Sequence, residues 1–187
     1  MFVAIEIGSS ARERIAGMLP TLRALAPSAK WVPPENLHIT LVFLGSTSEE
    51  RVAGICGALD AAAAVHPPLS LGLAAGGAFG HRKRPKVLWV GLSGQLPRLE
   101  ALFTDLEQRL EVFGYRRDPR NFRPHLTLAR SREPRGDPAL AACLPNLSAL
   151  QPMPLDVPEL VLFKSSPGPH ASIYEVIHRA PFRGAGD

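Results

Sequence analysis

The stretch Asn36-Leu37-His38-Ile39-Thr40-Leu41-Val42-Phe43-Leu44-Gly45 has a counterpart in Phe122-Arg123-Pro124-His125-Leu126-Thr127-Leu128-Ala129-Arg130. Both copies read His-x-Thr-x with apolar residues at x. Side chains of an extended strand alternate between its faces, so His38 and Thr40 project together while Ile39 and Leu41 point the other way. His125 and Thr127 stand in the same relation to Leu126 and Leu128. One ionisable imidazole beside one neutral hydroxyl, presented twice, makes the fold a device for bringing two such faces together.

At 187 residues the chain is one domain, or two small lobes sharing a core. Hydrophobic content of 45% and charged content of 20% are those of a soluble globular protein. A net charge of +4 and a pI near 9.5 favour an acidic partner, nucleic acid or nucleotides ahead of a membrane. The start, Met1 to Ile7, has no basic leader and carries Glu6 inside its apolar run, which reads as a strand and not a signal peptide. No apolar stretch approaches a membrane span. Two cysteines, Cys56 and Cys143, cannot build a disulfide framework, so a reduced, cytoplasmic, monomeric protein is expected.

Periodicity predicts a strand over residues 2–7 and a helix carrying Ile15, Leu19 and Leu22, N-capped by Ser9 or Ser10. That helix continues through Pro20 as one kinked element. The first motif strand runs from about Leu37 to Leu44, and Thr47 with Glu50 matches a capping box for a second helix. A short strand is expected at Leu69 to Leu73, then a glycine-rich loop from Gly76 carrying His81-Arg82-Lys83-Arg84-Pro85-Lys86. Val87 to Leu92 reads as a buried strand, and Leu99, Leu102, Phe103, Leu106, Leu110 and Phe113 form a clear amphipathic stripe ended by Gly114. A short helix follows Asp137-Pro138, and strands are expected at Leu160 to Lys164 and Ile173 to Ile177.

The halves repeat. Each runs strand, helix, motif strand, helix, strand, with one extra strand closing the second. His38 and His125 lie 87 residues apart, as do Cys56 and Cys143, which points to an internal duplication over about 1–80 and 86–180 of a single domain. A duplicated lobe folded back about a pseudo-two-fold axis would set the motif strands facing each other across a cleft.

Two imidazoles flanking one site suit general acid–base catalysis, since an ordinary pKa of about 6.5 keeps both protonation states accessible near neutrality. Threonine hydroxyls donate to anionic oxygens without adding charge. In-line attack on a phosphodiester needs these parts: a base on the nucleophile, an acid on the leaving oxygen, and donors on the non-bridging oxygens. A metal site is the competing use of two histidines, but neither motif has Cys, Asp or Glu at ligand spacing, and Glu35 falls in a proline-flanked loop. No metal or cofactor is expected. Cys56 and Cys143 read as small core residues, and His66, His81 and His170 as exposed loop residues.

Trp31-Val32-Pro33-Pro34-Glu35-Asn36-Leu37-His38-Ile39-Thr40-Leu41-Val42-Phe43-Leu44-Gly45, Val87-Leu88-Trp89-Val90-Gly91 and Pro124 to Arg130 together resemble the bacterial and archaeal RNA 2′,3′-cyclic phosphodiesterases, also called 2′-5′ RNA ligases, of the two-histidine phosphoesterase superfamily. The similarity covers nearly the whole chain. It implies a bilobal α+β fold with antiparallel sheets lining a central cleft and helices outside. It also implies metal-free hydrolysis of 2′,3′-cyclic RNA ends to 2′-phosphomonoesters, with His38 as proton donor and His125 as proton acceptor. The residues alone leave those two roles interchangeable. They also leave open a phosphodiesterase for small cyclic nucleotides, a 2′-5′ RNA ligase, and a non-catalytic RNA-end binding module.

Arg130 ends the second motif strand and by strict alternation falls opposite His125, so it needs a twist or bulge to reach phosphate. Arg82 and Arg84, and the segment Arg116-Arg117-Arg120-Arg123, are candidates to track an RNA backbone or are ordinary solvated loops. Phe43 shares the parity of Ile39 and Leu41, which predicts packing.

Overall fold

The computed structural model describes residues 1–115, 122–169 and 171–185. The first part runs β1 (Phe2–Glu6), α1 (Ser9–Leu25), β2 (Lys30–Trp31), a 3₁₀ turn (Pro34–Asn36), β3 (His38–Phe43) and α2 (Glu49–Val65). Then come β4 (Leu69–His81), β5 (Arg84–Gly94), α3 (Leu96–Glu111) and β6 (Leu126–Arg130). The chain closes with α4 (Pro138–Ala142), α5 (Leu144–Ser148), β7 (Met153–Val157), β8 (Glu159–Ser166) and β9 (Ile173–Pro181).

The nine strands among the described residues belong to one antiparallel sheet in the order β7-β4-β5-β6-β3-β1-β8-β9, with β2 alongside β6. The motif strands β3 and β6 are the central neighbours, yet they pair only at Ile39 and Leu126. From that single point they diverge, and the space between them is the cleft. On either side the groups are alike, β3-β1-β8-β9 and β6-β5-β4-β7.

Alternation divides the sheet's side chains between two environments. Val3 and Ile5 of β1 join the main core under the helices, whereas Phe2 and Ala4 join Val161 and Phe163 in a small cluster on the opposite face. The main core takes Ile15, Leu19 and Leu22 of α1, Ile55 and Leu59 of α2, and Leu99, Leu102, Leu106 and Leu110 of α3. The leucines of the expected stripe are thus buried, Phe103 and, beyond the end of α3, Phe113 pack against them partly buried, and α1 is one helix through Pro20. None of its described residues gives the chain a helix long and apolar enough to cross a membrane.

Several local expectations are corrected. Ser9 lies inside α1, whose N-cap is Gly8, and α2 begins after Ser48 with no side-chain cap, so neither proposed cap forms. His66 is not a free loop histidine: its Nε2 stands 3.2 Å from Asp105 Oδ2. His170 lies outside the described residues. The largest correction is the glycine-rich loop, which is the second half of β4, hydrogen-bonded to β5 up to His81 and Arg84. The glycines serve close approach. A Cβ at Gly76 would stand 2.4 Å from the Trp89 carbonyl oxygen, and one at Gly77 would stand 2.8 Å from the indole ring.

Backbone cannot yield as a side chain can, so Gly76→Ala should destabilise the fold by about 1–3 kcal/mol. Urea unfolding checks this: a lower midpoint at unchanged slope is expected, and an unchanged midpoint would show that β4 and β5 are not packed this closely.

Candidate active site

The register of each motif strand contains one irregularity. Against β1, Val42 pairs with Val3 and Thr40 with Ala4, which leaves Leu41 unpaired. Against β5, Ala129 pairs with Leu88 and Thr127 with Trp89, which leaves Leu128 unpaired. An extra residue in one strand is a β-bulge, and it reverses the facing of everything beyond it. Leu41 and Val42 are therefore both buried, at 6% and 1% exposure, and Phe43 turns to the His38 face, 66% exposed. Leu128 and Ala129 are likewise both fully buried, and Arg130 turns to the His125 face. The bulge that Arg130 required is present, whereas the packing expected for Phe43 is overturned by the same device.

The resulting cleft, of about 410 Å³, is lined by Asn36, His38, Thr40, Thr127, Arg130 and Phe43, with Phe2, Val32, Ser165 and Tyr174 among the rest. His125 is not among the lining residues, but it stands close enough to His38 for its charge to depress that pKa. The two imidazoles are oriented alike. His38 Nδ1 stands 2.7 Å from the Asn36 carbonyl, and His125 Nδ1 stands 2.7 Å from the Arg123 carbonyl. A carbonyl only accepts, so Nδ1 carries the proton and, in the neutral ring, Nε2 is left with the lone pair. His38 Nε2 lies 3.1 Å from Thr40 Oγ1. Neutral His38 accepts from that hydroxyl, and protonated His38 donates to it, which frees the threonine proton for another acceptor.

Aromatic rings hold both histidines. Phe2 lies 4.8 Å from His38, Tyr174 meets it edge-on at 5.2 Å, and Phe163 is 6.2 Å away. Phe79 meets His125 edge-on at 4.9 Å and is itself 5.3 Å from Trp89. Asn36 acts twice: its carbonyl orients His38, and its side-chain amide donates to Ser172 O at 2.7 Å, which ties down the approach to Tyr174.

Burial pushes the pKa of both histidines below the ordinary 6.5. Their hydrogen bonds to Asn36 and Arg123 oppose this in part, and the positive charge of Arg130 adds to it for both. Burial also raises both cysteine thiols, keeping them protonated and poor nucleophiles. No group of three potential ligands among His, Cys, Asp and Glu occurs among the described residues.

The other arginines proposed from sequence stand elsewhere. Arg82 is in the exposed turn between β4 and β5, and Arg84 donates to Gly136 O. The exposed Arg123 contributes its backbone carbonyl to His125. None of these three lines the cleft. Arg116, Arg117 and Arg120 lie outside the described residues. The residues that sequence reasoning missed are Phe2, Asn36, Phe79 and Phe163, brought to the histidines by strand pairing or by the turn before β3.

An RNA 2′,3′-cyclic phosphodiesterase of Geobacillus stearothermophilus is 33% identical over 100% of this chain, which spans 58% of that relative's length. A protein of the same name from Archaeoglobus fulgidus is 33% identical over 94% of this chain and 96% of its own. Among solved structures, E. coli LigT complexed with 3′-AMP superposes with a TM-score of 0.73 at 26% identity, covering 97% of this chain and 96% of that one. A Thermus thermophilus protein shares the fold with a TM-score of 0.77 at 24% identity, over 99% and 98% of the two chains. The family described as the 2′-5′ RNA ligase superfamily matches residues 11–169, and the chain belongs to it.

Proposed function

We propose that the protein is an RNA 2′,3′-cyclic phosphodiesterase that opens the cyclic phosphate to a 2′-phosphomonoester by metal-free general acid–base catalysis. The observation that carries this reading is the matched orientation of the two imidazoles, each held through Nδ1 with Nε2 unblocked by backbone. The names of the relatives from Geobacillus and Archaeoglobus support the reaction, and the 3′-AMP complex of LigT supports a nucleotide as the occupant of the cleft.

In this mechanism neutral His125 takes a proton from water at Nε2 as the water oxygen attacks phosphorus. Protonated His38 gives its Nε2 proton to the departing O3′. The P–O3′ bond breaks as the new P–O bond forms, and the histidines end with their protonation states exchanged, to be reset by solvent. Thr40, Thr127 and Arg130 donate to the non-bridging oxygens. The aromatic surroundings make protonated His38 a stronger acid than a solvated imidazolium, which suits a proton donor. Phe43, exposed at the mouth with Phe2 at 6.1 Å, offers a face on which a nucleobase can stack.

We propose further that residues 1–80 and 86–180 are copies of one unit. The histidines, the bulged leucines Leu41 and Leu128, and the reversed residues Phe43 and Arg130 are each 87 positions apart, which supports this. The copies differ where it matters for direction, with phenylalanine at one exit and arginine at the other.

His38→Ala or His125→Ala should each lower turnover of 2′,3′-cyclic AMP by at least ~10²–10⁴ while the protein stays folded. For the wild type, kcat/KM reports the free enzyme, in which both imidazoles titrate below 6.5. Its bell should therefore centre on the acid side of 6.5, falling at higher pH as His38 loses its proton and at lower pH as His125 gains one. The bound phosphate anion favours both charged forms, so the kcat bell should lie at higher pH than the kcat/KM bell. A folded single mutant with near-normal turnover would end the two-histidine mechanism.

The product itself reports orientation. Phosphorus NMR of the reaction with 2′,3′-cyclic AMP should show the 2′-phosphate, and predominant 3′-phosphate would mean that the acid and base roles are reversed on the substrate.

A further inference from the structure

The short strand β2 carries a residue that the mechanism does not use. Lys30 pairs with Arg130 and Trp31 with Ala129. The register is held firmly: the Trp31 indole donates to Ala26 O at 2.9 Å, and Val32 N donates to Leu128 O at 2.8 Å. Cross-strand partners share a face, so Lys30 stands beside Arg130 on the face that carries the site. On the other side of Arg130 the row continues with Val87 of β5.

Two cations directly opposite each other on neighbouring strands repel. Among the described residues, neither the Lys30 nor the Arg130 side chain has a hydrogen bond or an ion pair to relieve this. The surroundings add to the imbalance. Arg132, just beyond β6, is anchored through Nε to Ser28 O, whereas Lys86, next to Val87 on β5, turns to the opposite face. Asp137 cannot compensate, because its carboxylate is engaged by the Ala139 amide and the Ser28 hydroxyl. The positive pair straddles the rim, since Arg130 lines the cleft and Lys30 does not.

We infer that Lys30 holds a second phosphate, beside the cyclic phosphate that Arg130 binds: the one on O5′ of the cyclic-ended nucleotide, which in an RNA links it to its 5′ neighbour. This rests on the reading of the cleft as a cyclic phosphodiesterase site. The covalent argument is short. The 2′ and 3′ oxygens of the terminal ribose are both consumed by the cyclic phosphate, so the chain continues only through O5′. Any further anion brought in with the substrate is therefore on the 5′ side. Lys30 is accordingly the residue by which the site distinguishes an RNA chain end from a free cyclic mononucleoside.

Three substrates isolate the contribution: adenosine 2′,3′-cyclic phosphate, the same nucleotide carrying a 5′-phosphate, and the dinucleotide ApA ending in a 2′,3′-cyclic phosphate. The wild type should prefer the last two by kcat/KM. Lys30→Ala should reduce that preference about fivefold, the scale of an exposed charge pair, through KM and not kcat. It should also reduce the salt slope for the dinucleotide by about one, and Lys30→Arg should restore both. An unchanged preference in Lys30→Ala, or an equal fall for all three substrates, would overturn the inference. If the wild type turns over none of them, the activity reading fails. The subsite is then judged by anisotropy with a labelled 3′-phosphorylated dinucleotide: weaker binding by Lys30→Ala supports it, and equal binding rejects it.

Discussion

The site depends on a one-residue bulge placed twice. A regular strand could present His and Thr on one face, but it would send the next residue of that row, Val42 or Ala129, to the cleft and bury Phe43 or Arg130. Leaving Leu41 and Leu128 unpaired reverses this, so two successive apolar residues enter the core and the following side chain joins the histidine face. The core gains an anchor on each side, and the cleft gains an aromatic ring at one exit and a guanidinium at the other. Since β3 and β6 meet only at Ile39 and Leu126, the bulged halves of the strands are free to diverge and leave room for a ligand.

Within that frame the chemistry is set by what surrounds each imidazole. A backbone carbonyl fixes the tautomer at Nδ1, and aromatic neighbours hold the ring plane. Burial disfavours the charged form of both rings, so an anion bound beside them would favour their protonation. The two histidines are therefore not interchangeable in practice. His38 sits among three aromatic side chains with Thr40 on its Nε2, whereas His125 has Phe79 against it and its cleft neighbour Arg130 beyond Thr127. That asymmetry, laid on the paired bulges of β3 and β6, is what can give a substrate one direction of binding.

Much of this was legible in the amino-acid sequence, and the exceptions have physical causes. Periodicity located the α3 stripe and carried α1 through Pro20, because both patterns reflect burial of one face. It failed at Phe43, because a bulge is a property of pairing and not of one strand, although the doublets Leu41-Val42 and Leu128-Ala129 were its trace. The second half of β4 read as loop because its glycines carry no side-chain signal, when they are there to admit Trp89. Edge strand β7 went unseen with Pro154 in it, a residue that an edge tolerates. Phe2 and Phe163 lie far from both motifs in the chain and reach His38 through the sheet, which no local pattern announces.

The account turns on the state of the two imidazoles before substrate arrives, and nitrogen-15 NMR of the histidine rings reads that state directly. In the free protein His38 and His125 should each show a protonated Nδ1 and an unprotonated Nε2 at neutral pH, and each should titrate below the ordinary 6.5. A ring found with its neutral proton on Nε2, or titrating at or above that value, would contradict the orientation from which the acid–base mechanism is built.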